Sequence, residues 1–497
     1  MALPAHLEKL RVEIEGHARA FGLDYFDTIF EYVTFDQMNM IAAYGGFPTR
    51  YPHWKFGMDY EQLAKSYQYG LSKIYELVIN NDPSYAYLMS SNAVVDQKLV
   101  MAHVYGHVDF FKHNFSFAHT DRKMMDSMAN HGTRVRRYID SYGVEKVEGF
   151  IDKVLSVDNL IDRHAPYIKR RNNSHEKLER DAMTPEVPRL ETDREYMRGY
   201  INPDEYIQEQ RKKMEEERER ERHFPEHPER DVMLFMLEHA PLENWERDIL
   251  AMLRQEAYYF LPQGQTKIMN EGWASYWHTT IMTQKALDPS ELIDYAETHS
   301  CTMGVQPGSI NPYKLGLELF RDIEDRWNKG RFGKEWNDCD DLRLKQQWNT
   351  GAGKGREKIF EVRKHYNDVT FIDEFLTPEF VFEQKMFNYG FNKKSGNWEI
   401  LEREYKAIKN KLLNQLTNFG QPNICVVDGN FENRGELLLK HEYEAVDLRQ
   451  DYMKDTLVNL FAIWSRPVVL STLVDDRAVL VRFDGQDFQE TKIKDAA

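Results

Sequence analysis

The chain has 497 residues, which is long enough for about three domains of ordinary size. Its 65 lysines and arginines are outnumbered by 81 aspartates and glutamates, and the net charge of −16 argues against a protein that mainly binds nucleic-acid phosphates. No apolar run approaches the roughly 18 residues of a membrane span. The N-terminus lacks the features of a secretory signal, and the three cysteines are far apart and in no metal-binding spacing. We therefore expect a soluble cytoplasmic protein.

The first third of the sequence is predicted to be mostly helical. Apolar residues repeat at intervals of three and four residues, which is typical of amphipathic helices. A stretch rich in glycine, proline and aromatic residues interrupts this pattern and predicts an ordered loop. The elements expected within region 1–168 are a helix from Leu7, the loop over 45–57, a helix over 60–79, and a helix over 94–114 capped by residues 90–92.

A charged segment separates this region from a second helical one. Residues 209–222 alternate in charge, which is typical of a solvated helix or a flexible connector, and we assign 169–231 to such a connector. Residues 232–420 are expected to form one core with region 1–168. The helices predicted there run over 242–260, ended by Pro262, over 266–284, and from Asn311, with helical periodicity continuing to about 418.

The pattern changes after Pro422, where short β-branched segments replace helical periodicity. Residues 421–497 are therefore predicted to form a small, separable α+β module with the order ββαββ. Its predicted elements are strands over 424–428 and 437–443, a helix over 449–464, and strands over 468–473 and 478–483. The fold class is mainly α, with this module at the C-terminal end.

Two helices carry residues that suit a metal site. His103 and His107 are four residues apart, so both imidazoles can reach one zinc-sized ion from the same helical face. Glu271 and His278 share a face of a later helix among tryptophans and tyrosines, where burial without a partner is costly. The alternatives are structural histidines and a buried hydrogen-bonded glutamate. The candidate ligands are His103, His107, Glu271 and His278, for Zn²⁺ or another divalent transition metal.

This arrangement resembles the gluzincin metallohydrolases, in which one helix supplies two histidines and a later helix supplies a glutamate. In an HExxH enzyme the glutamate after the first histidine acts on water, but Val104 stands there in this chain. Glu256 is the candidate catalytic base, because a short connector over 261–265 could fold its helix against the one that bears Glu271. Asp96 shares a face with His103 and is a candidate acceptor for an imidazole N–H.

Several longer strings resemble the SpoVR (stage V sporulation protein R) family over nearly the whole chain. They are GFPTRYPHW from residue 46, RVRRYIDSYGVEKV from 134, HVYGHVDFFK from 103, EHAPLE from 238, KIMNEGWASYWH from 267 and NPYKLGLELF from 311. The resemblance implies an association with spore cortex formation or stress physiology. It also implies partners, namely a PrkA-type serine kinase and a von Willebrand-type protein. Neither implication settles a biochemical activity.

Two functions from different classes follow from these observations. The first is a metal-dependent amide or peptide hydrolase with a zincin-like helical core, acting on peptides or peptidoglycan precursors. The second is a non-catalytic regulatory or scaffold protein that keeps the metal for stability and works with the kinase, and Val104 favours it. The geometry of the site distinguishes them, because a catalytic metal keeps an open position and a structural metal is closed by four ligands.

Overall fold

The protein is mainly helical, and the contacts between its residues divide it into two units. One unit comprises residues 1–148 and 258–421, and the other comprises residues 149–257 and 422–497. The computed structural model describes residues 3–68, 76–168, 203, 205–213, 224–305, 309–444, 446–475 and 477–492. Most of the predicted connector, 169–231, lies outside these ranges, although residues 205–213 are helical. No described helix is both long and apolar enough to cross a bilayer.

The larger unit, 1–148 with 258–421, contains most of the helices. In chain order the named helices of the protein are α1 Ala5–Ala20, α2 Phe35–Ala43, α3 Trp54–Gln68, α4 Val94–His113, α5 Met124–Tyr142, α6 Val144–Leu155, α7 Val232–His239, α8 Asn244–Gln265, α9 Lys267–Ile281, α10 Leu292–Thr302, α11 Pro312–Asn328, α12 Gly333–Asn337, α13 Leu342–Gln347, α14 Gly355–His365, α15 Asp368–Phe375, α16 Pro378–Glu383, α17 Tyr405–Leu416 and α18 Gln450–Trp464. Of these, α7 and α18 belong to the smaller unit, and α6 and α8 cross from one unit to the other.

Helix α4 is buried on every face. All of its residues from Val95 to Phe111 are buried, in an apolar core shared with α9 and α11. A helix buried all round is expected to be apolar all round, but α4 also carries six ionisable residues along this stretch. Their burial means that each of them needs a partner within the core.

Glycines bring α4, α9 and α11 unusually close together. A Cβ at Gly106 of α4 would lie 2.7 Å from the Ala274 Cα of α9, and a Cβ at Gly316 of α11 would lie 2.1 Å from the Ile268 carbonyl oxygen. A Cβ at Gly272 would lie 2.4 Å from Gly316. Because no side chain separates the backbones at these points, residues beside the crossings face each other at short range.

A three-stranded sheet in the N-terminal region corrects the helical prediction. Its strands are β1 Thr28–Val33, β2 Leu77–Ile79 and β3 Ser84–Met89, in the order β1-β3-β2, with β1 parallel and β2 antiparallel to β3. The helix predicted over 60–79 is therefore wrong at its end, since α3 is described as far as Gln68 and β2 follows. Leu77, Val78 and Ile79 fit the helical spacing, but their pairing with β3 overrides it.

Three helix boundaries also differ from their predictions. Residues 90–92 do not cap α4, because its N-cap is Ala93 and no side chain bonds there. Helix α8 continues through Pro262 to Gln265 rather than ending before it. The buried Tyr259 donates to the Asn80 carbonyl at 3.1 Å, and this packing outweighs the hydrogen bond that proline removes. The helical pattern expected to 418 is interrupted by a hairpin of β4 Asn388–Asn392 and β5 Asn397–Glu402.

The smaller unit contains the C-terminal sheet. Its strand order is β10-β9-β8-β7-β6, and α18 makes the crossover between the parallel strands β7 and β8. The predicted ββαββ order is confirmed for four strands. The fifth strand, β10, was not predicted, because its polar sequence shows no apolar alternation. The strands are β6 Asn423–Phe431, β7 Glu436–Glu442, β8 Val468–Val474, β9 Arg477–Phe483 and β10 Phe488–Lys492.

Residues upstream of α8 pack on this sheet. Glu229 and Val426 exchange backbone hydrogen bonds of 2.9 and 2.8 Å, and the ring of Phe235 lies 5.7 Å from that of Trp464. Residues 149–257 and 422–497 fall in the same unit of the structure. The unit that contains the C-terminal sheet thus includes α7 and the residues 224–231 before it.

Candidate metal centre

The two histidines of α4 lie on one face, as their spacing predicts. The centroids of the His103 and His107 rings are 4.5 Å apart, and both side chains are buried, at 2% and 4% exposure. Gly106 between them allows α9 to cross α4 at this level. The carboxylate of Glu271 on α9 therefore faces the pair, with its Oε2 at 3.5 Å from His103 Nε2 and 3.4 Å from His107 Nε2.

The N-terminus of α9, which precedes Glu271, is held by a buried carboxylate. Asp368 accepts hydrogen bonds from the backbone N–H groups of Ile268 and Met269 at 2.8 and 2.9 Å. These donors would otherwise be unsatisfied at the helix start. Burial raises the pKa of Asp368 to about 7, although the two backbone bonds oppose this shift. Glu271 thus stands on a helix whose first turn is fixed within the core.

Glu76 completes the site and was missed in the sequence. It directly precedes β2, and its Oε1 lies 3.0 Å from His103 Nε2 and 3.9 Å from His107 Nε2. One ligand atom from each of Glu76, His103, His107 and Glu271 lies within 4.8 Å of the others. Glu76 was missed because residues 60–79 were predicted to form one helix. The one signal for Glu76 is an acidic residue directly before a short apolar segment, 77–79.

The four side chains strongly perturb one another. Burial alone would raise the pKa of Glu76, but the neighbouring His103 and His107 outweigh it and lower that pKa to about 2. Burial would lower the pKa of His107, but Glu271 and Glu76 raise it to about 10. In the same way, the pKa of Glu271 is held well below its ordinary range by His107. Without a metal, the two carboxylates thus favour the protonated form of His107.

Two atoms of the cluster support a metal rather than a closed ionic network. His103 Nε2 and Glu271 Oε2 are buried and take part in no hydrogen bond of normal geometry. Both belong to residues of the group whose ligand atoms lie within 4.8 Å of one another. Imidazole nitrogen and carboxylate oxygen suit Zn²⁺ and other divalent transition metals, and the residues present therefore fit such an ion.

The outer nitrogens of both imidazoles have partners. His107 Nδ1 lies 2.9 Å from Asn270 Oδ1, and His103 Nδ1 lies 2.8 Å from His278 Nδ1. His278 Nε2 lies in turn 3.3 Å from His299 Nδ1. Partners of this kind fix the tautomer and leave Nε2 available to a metal. The structure places His278, predicted as a ligand, behind His103 and outside the group of four, and its ligation stays a prediction.

Lys267 and Tyr313 close one side of the site. The Lys267 ammonium contacts Glu271 Oε1 and lies 5.9 Å from the Tyr313 ring centroid. The Tyr313 ring stacks on that of His103, with centroids 6.1 Å apart. Burial, and after it the charges of Glu76 and Glu271, raise the pKa of Tyr313. Tyr313 therefore stays a neutral phenol beside the site.

The proposed base and the proposed N–H acceptor are not in the group of four. Glu256 is on α8, in the part assigned to the smaller unit, and its side chain is buried at 4% exposure. Its catalytic role stays a prediction. Asp96 Oδ1 accepts a hydrogen bond from Thr298 Oγ1 at 3.1 Å. Val104 is fully buried, so the position that carries glutamate in HExxH enzymes faces the apolar core.

Together, the fold and the site define a mainly helical protein with a buried cluster of two histidines and two glutamates that could hold a metal ion. The chain belongs to the family described as SpoVR like protein, whose model matches residues 2–421. The match ends immediately before the C-terminal sheet.

A relative in Escherichia coli (strain K12) extends the similarity beyond that point. It carries the name uncharacterized protein YcgB and is 28% identical over 513 residues, covering 95% of this chain and 93% of the relative. No solved structure matches the chain. The comparisons thus show the family, and a proposal on activity rests on the geometry of the site.

Proposed function

We propose that the protein is a metal-dependent hydrolase of amide or peptide bonds with a zincin-like arrangement of helices. The observation that carries this proposal is the convergence of four ligating atoms within 4.8 Å on Glu76, His103, His107 and Glu271. His103, His107 and Glu271 would hold the ion, in the two-histidine, one-glutamate pattern of catalytic zinc sites. A divalent ion in such a site polarises a carbonyl group and acidifies water.

Glu76 is our candidate for the base that HExxH enzymes place at the position of Val104. Its side chain is 16% exposed, whereas that of Glu271 is 6% exposed, so Glu76 lies nearer to the side from which a substrate would approach. A carboxylate beside the metal ligands can take a proton from water and pass it to a leaving amine. Glu76 could thus serve as the base although Val104 stands at the glutamate position of the α4 motif. Glu256 remains the alternative base.

Metal content tests the site itself. We expect about one divalent transition ion per purified chain, as for a single site of this type. A His103→Ala, His107→Ala double variant should lose it, and elemental analysis of both proteins decides the question. His17→Ala, His113→Ala is a matched control, because both of these histidines lie outside the cluster of four. Equal metal in the wild type and in the cluster variant would contradict the site.

Glu76→Gln separates the two roles of Glu76. If Glu76 is the base, the variant keeps its metal and loses hydrolysis of peptide or peptidoglycan-precursor amides, measured as release of new amino groups. If Glu76 is a fourth ligand, Glu76→Gln loses metal affinity, as the separate variant Glu271→Gln also does. The second result would show a closed four-ligand site, which is the structural type.

The second candidate function is a non-catalytic regulatory or scaffold protein that works with a PrkA-type kinase and a von Willebrand-type protein. Val104 favours it, since the glutamate of the catalytic motif is replaced by a residue with no polar atom. In this case the metal stabilises the core, and removal of the metal lowers the unfolding temperature without affecting any hydrolysis. Co-purification of the kinase with the full chain, and its loss after metal removal, would support this function.

A further inference from the structure

We propose that the larger unit has a second binding site, separate from the metal cluster, for an amphipathic anion with an acyl-like apolar body and one anionic head group. The site is a cavity of about 360 Å³ between the start of α11, the segment after α16, and α17. This volume lies within the range of about 300–1,000 Å³ that small-molecule sites occupy. Its lining residues are absent from the metal cluster.

The floor of the cavity is apolar. Leu315, Phe380, Ile408 and Leu412 line it, and each of them is buried, at 6% exposure or less. These side chains come from three helices, α11, α16 and α17, so the floor belongs to the packed core. An apolar ligand group placed on it would leave water for an apolar surface, which is the main source of affinity in such pockets.

The remainder of the lining carries positive charge. Lys314 is half-buried, and Lys385 and Lys411 are exposed. Among the described residues none of the three lysines forms an ion pair, and Lys411 has a neutral partner, Asn388 Oδ1, at 3.3 Å. The one acidic residue of the lining, Glu318, is already paired with Arg321 at 2.9 Å. An anionic group at the cavity would therefore meet three ammonium groups and one carboxylate that already has a cationic partner.

The positions of the apolar floor and of the lysines indicate the class of ligand. A buried apolar floor and unpaired ammonium groups that are half-buried or exposed fit a molecule whose apolar end enters first and whose anionic end stays near water. Lysine binds carboxylate and phosphate heads alike as a point charge. The shared chemistry is an acyl chain with a single anionic head, and the head is distinguished by experiment.

Titration calorimetry of the full chain with ten-carbon probes tests the site. We expect decanoate and decyl phosphate to bind, and decanol to bind more weakly, with the stronger of the two anions showing which head is preferred. A Lys314→Gln, Lys411→Gln variant should weaken binding of the anions about tenfold, as expected for the loss of two charge interactions near solvent, and should leave decanol unchanged. Lys406→Gln is the matched control on α17, because Lys406 is exposed and does not line the cavity.

A second variant tests the location. Leu412→Trp should fill the floor and abolish binding of all three probes, while its circular dichroism spectrum and cooperative unfolding show that the chain is still folded. The proposal is overturned if neither anion binds, if decanol binds as tightly as decanoate, or if the lysine variant binds decanoate like the wild type. Unchanged binding in a folded Leu412→Trp protein would place the ligand elsewhere and also overturn it.

Discussion

Two clusters of buried charged residues lie on α4, and they differ in how their polar atoms are hydrogen-bonded. Two residues after His107, Asp109 is fully buried and both of its oxygens are bonded. Its Oδ1 accepts from the Asp24 backbone N–H at 2.9 Å, and its Oδ2 accepts from Trp273 Nε1 at 2.8 Å and Arg363 Nη1 at 2.5 Å. In the cluster around His103 and His107, buried ligand atoms face one another without normal hydrogen bonds.

This difference separates a structural polar group from a binding site. Both clusters join α4 to α9, and both place charge in the same apolar core. A buried charge whose lone pairs are all used by donors holds helices together, since each bond compensates for lost hydration. Buried charged groups whose ligand atoms converge, as in the cluster of four, compensate one another in part, and a bound ion can supply the remainder.

The largest effect is expected from removing the Asp109 carboxylate, both of whose oxygens are bonded. Asp109→Ala leaves the guanidinium of Arg363, itself almost fully buried, without its carboxylate. Removing one partner of a buried ion pair typically costs about 3–5 kcal/mol. We expect a loss of this size in the free energy of unfolding, measured by denaturant titration. Glu8→Ala breaks the exposed pair with Arg11 and should cost less than about 1 kcal/mol.

An equal and small effect of Asp109→Ala and Glu8→Ala would contradict this account. It would mean that Arg363 reaches water or another acceptor when Asp109 is removed, and that the α4–α9 junction tolerates relaxation. Asp109→Asn is informative beside it, because the amide oxygen can still accept from Trp273 while the charge is lost. Its stability should fall between those of the wild type and Asp109→Ala.

The next effect tests the close approach on which the metal cluster depends. Gly316→Ala puts a methyl group 2.1 Å from the Ile268 carbonyl oxygen, so α9 and α11 must move apart. Overpacking of this kind typically costs about 1–3 kcal/mol, and we expect the upper end because the obstacle is backbone. Gly16→Ala in α1 is the matched control, since nothing lies within 4 Å of its new methyl group. That control should gain about 0.5–1 kcal/mol from helix propensity.

Gly316→Ala is tested by two measurements, calorimetric unfolding and metal content. A stability loss together with weaker metal retention is expected, since Glu271 sits beside the crossing. If Gly316→Ala is as stable as the wild type, the helices are not held at the distance that the structure shows.

Helices with strong amphipathic periodicity could be predicted from the sequence. The shared face of His103 and His107 could also be predicted, because spacing along a helix fixes which side chains share a face, whereas Glu271 was proposed as a ligand from the resemblance to the gluzincin pattern. The α11 start at Asn311 and Pro312 follows its prediction as well, and the Asn311 side chain accepts from two backbone N–H groups there. These features depend on neighbours in sequence.

Features that depend on long-range pairing were missed or misplaced. Leu77–Ile79 has a pattern compatible with a helix, and its pairing with β3 decides otherwise. Glu76 could not be placed at the metal site because it belongs to no periodic pattern and reaches the histidines through the course of β2. Asp109 and Arg363 are 254 residues apart, and no spacing along the chain connects them.

A third prediction concerns pH, since protons compete with the metal for the unsatisfied cluster. Burial lowers the pKa of His107, but Glu271 and Glu76 outweigh it, so that pKa is about 10 in the metal-free protein. At pH 7 a metal must displace this proton. Affinity should therefore rise by about tenfold per pH unit between pH 7 and 9, measured by competition with a chelator. A histidine of ordinary pKa would give a plateau above about pH 7, and that outcome would contradict the shift.

The same shift fixes the sign of the stability change in the metal-free protein. Because the pKa of His107 is raised on folding, the stability that it contributes is fully present below its ordinary pKa and is lost as the pH rises toward 10. The lowered pKa of Glu76 acts in the opposite direction, and its contribution is lost as the pH falls toward 2. The metal-free protein should thus lose stability on both sides of a window between about pH 4.5 and 6.5. The metal-bound form should lose less on the alkaline side.

The smallest effect is expected from the partner that orients His107. Asn270 Oδ1 lies 2.9 Å from His107 Nδ1, so the imidazole can donate its N–H there and keep Nε2 free for the ion. Loss of such a partner typically weakens metal binding about 10–100-fold. For Asn270→Ala we expect about tenfold, because a neutral amide orients the ring without adding charge. Asn270→Asp keeps the acceptor and should retain the affinity. If Asn270→Ala binds metal as the wild type does while His107→Ala does not, the α4–α9 packing alone orients the ring, and the hydrogen bond contributes nothing to the site.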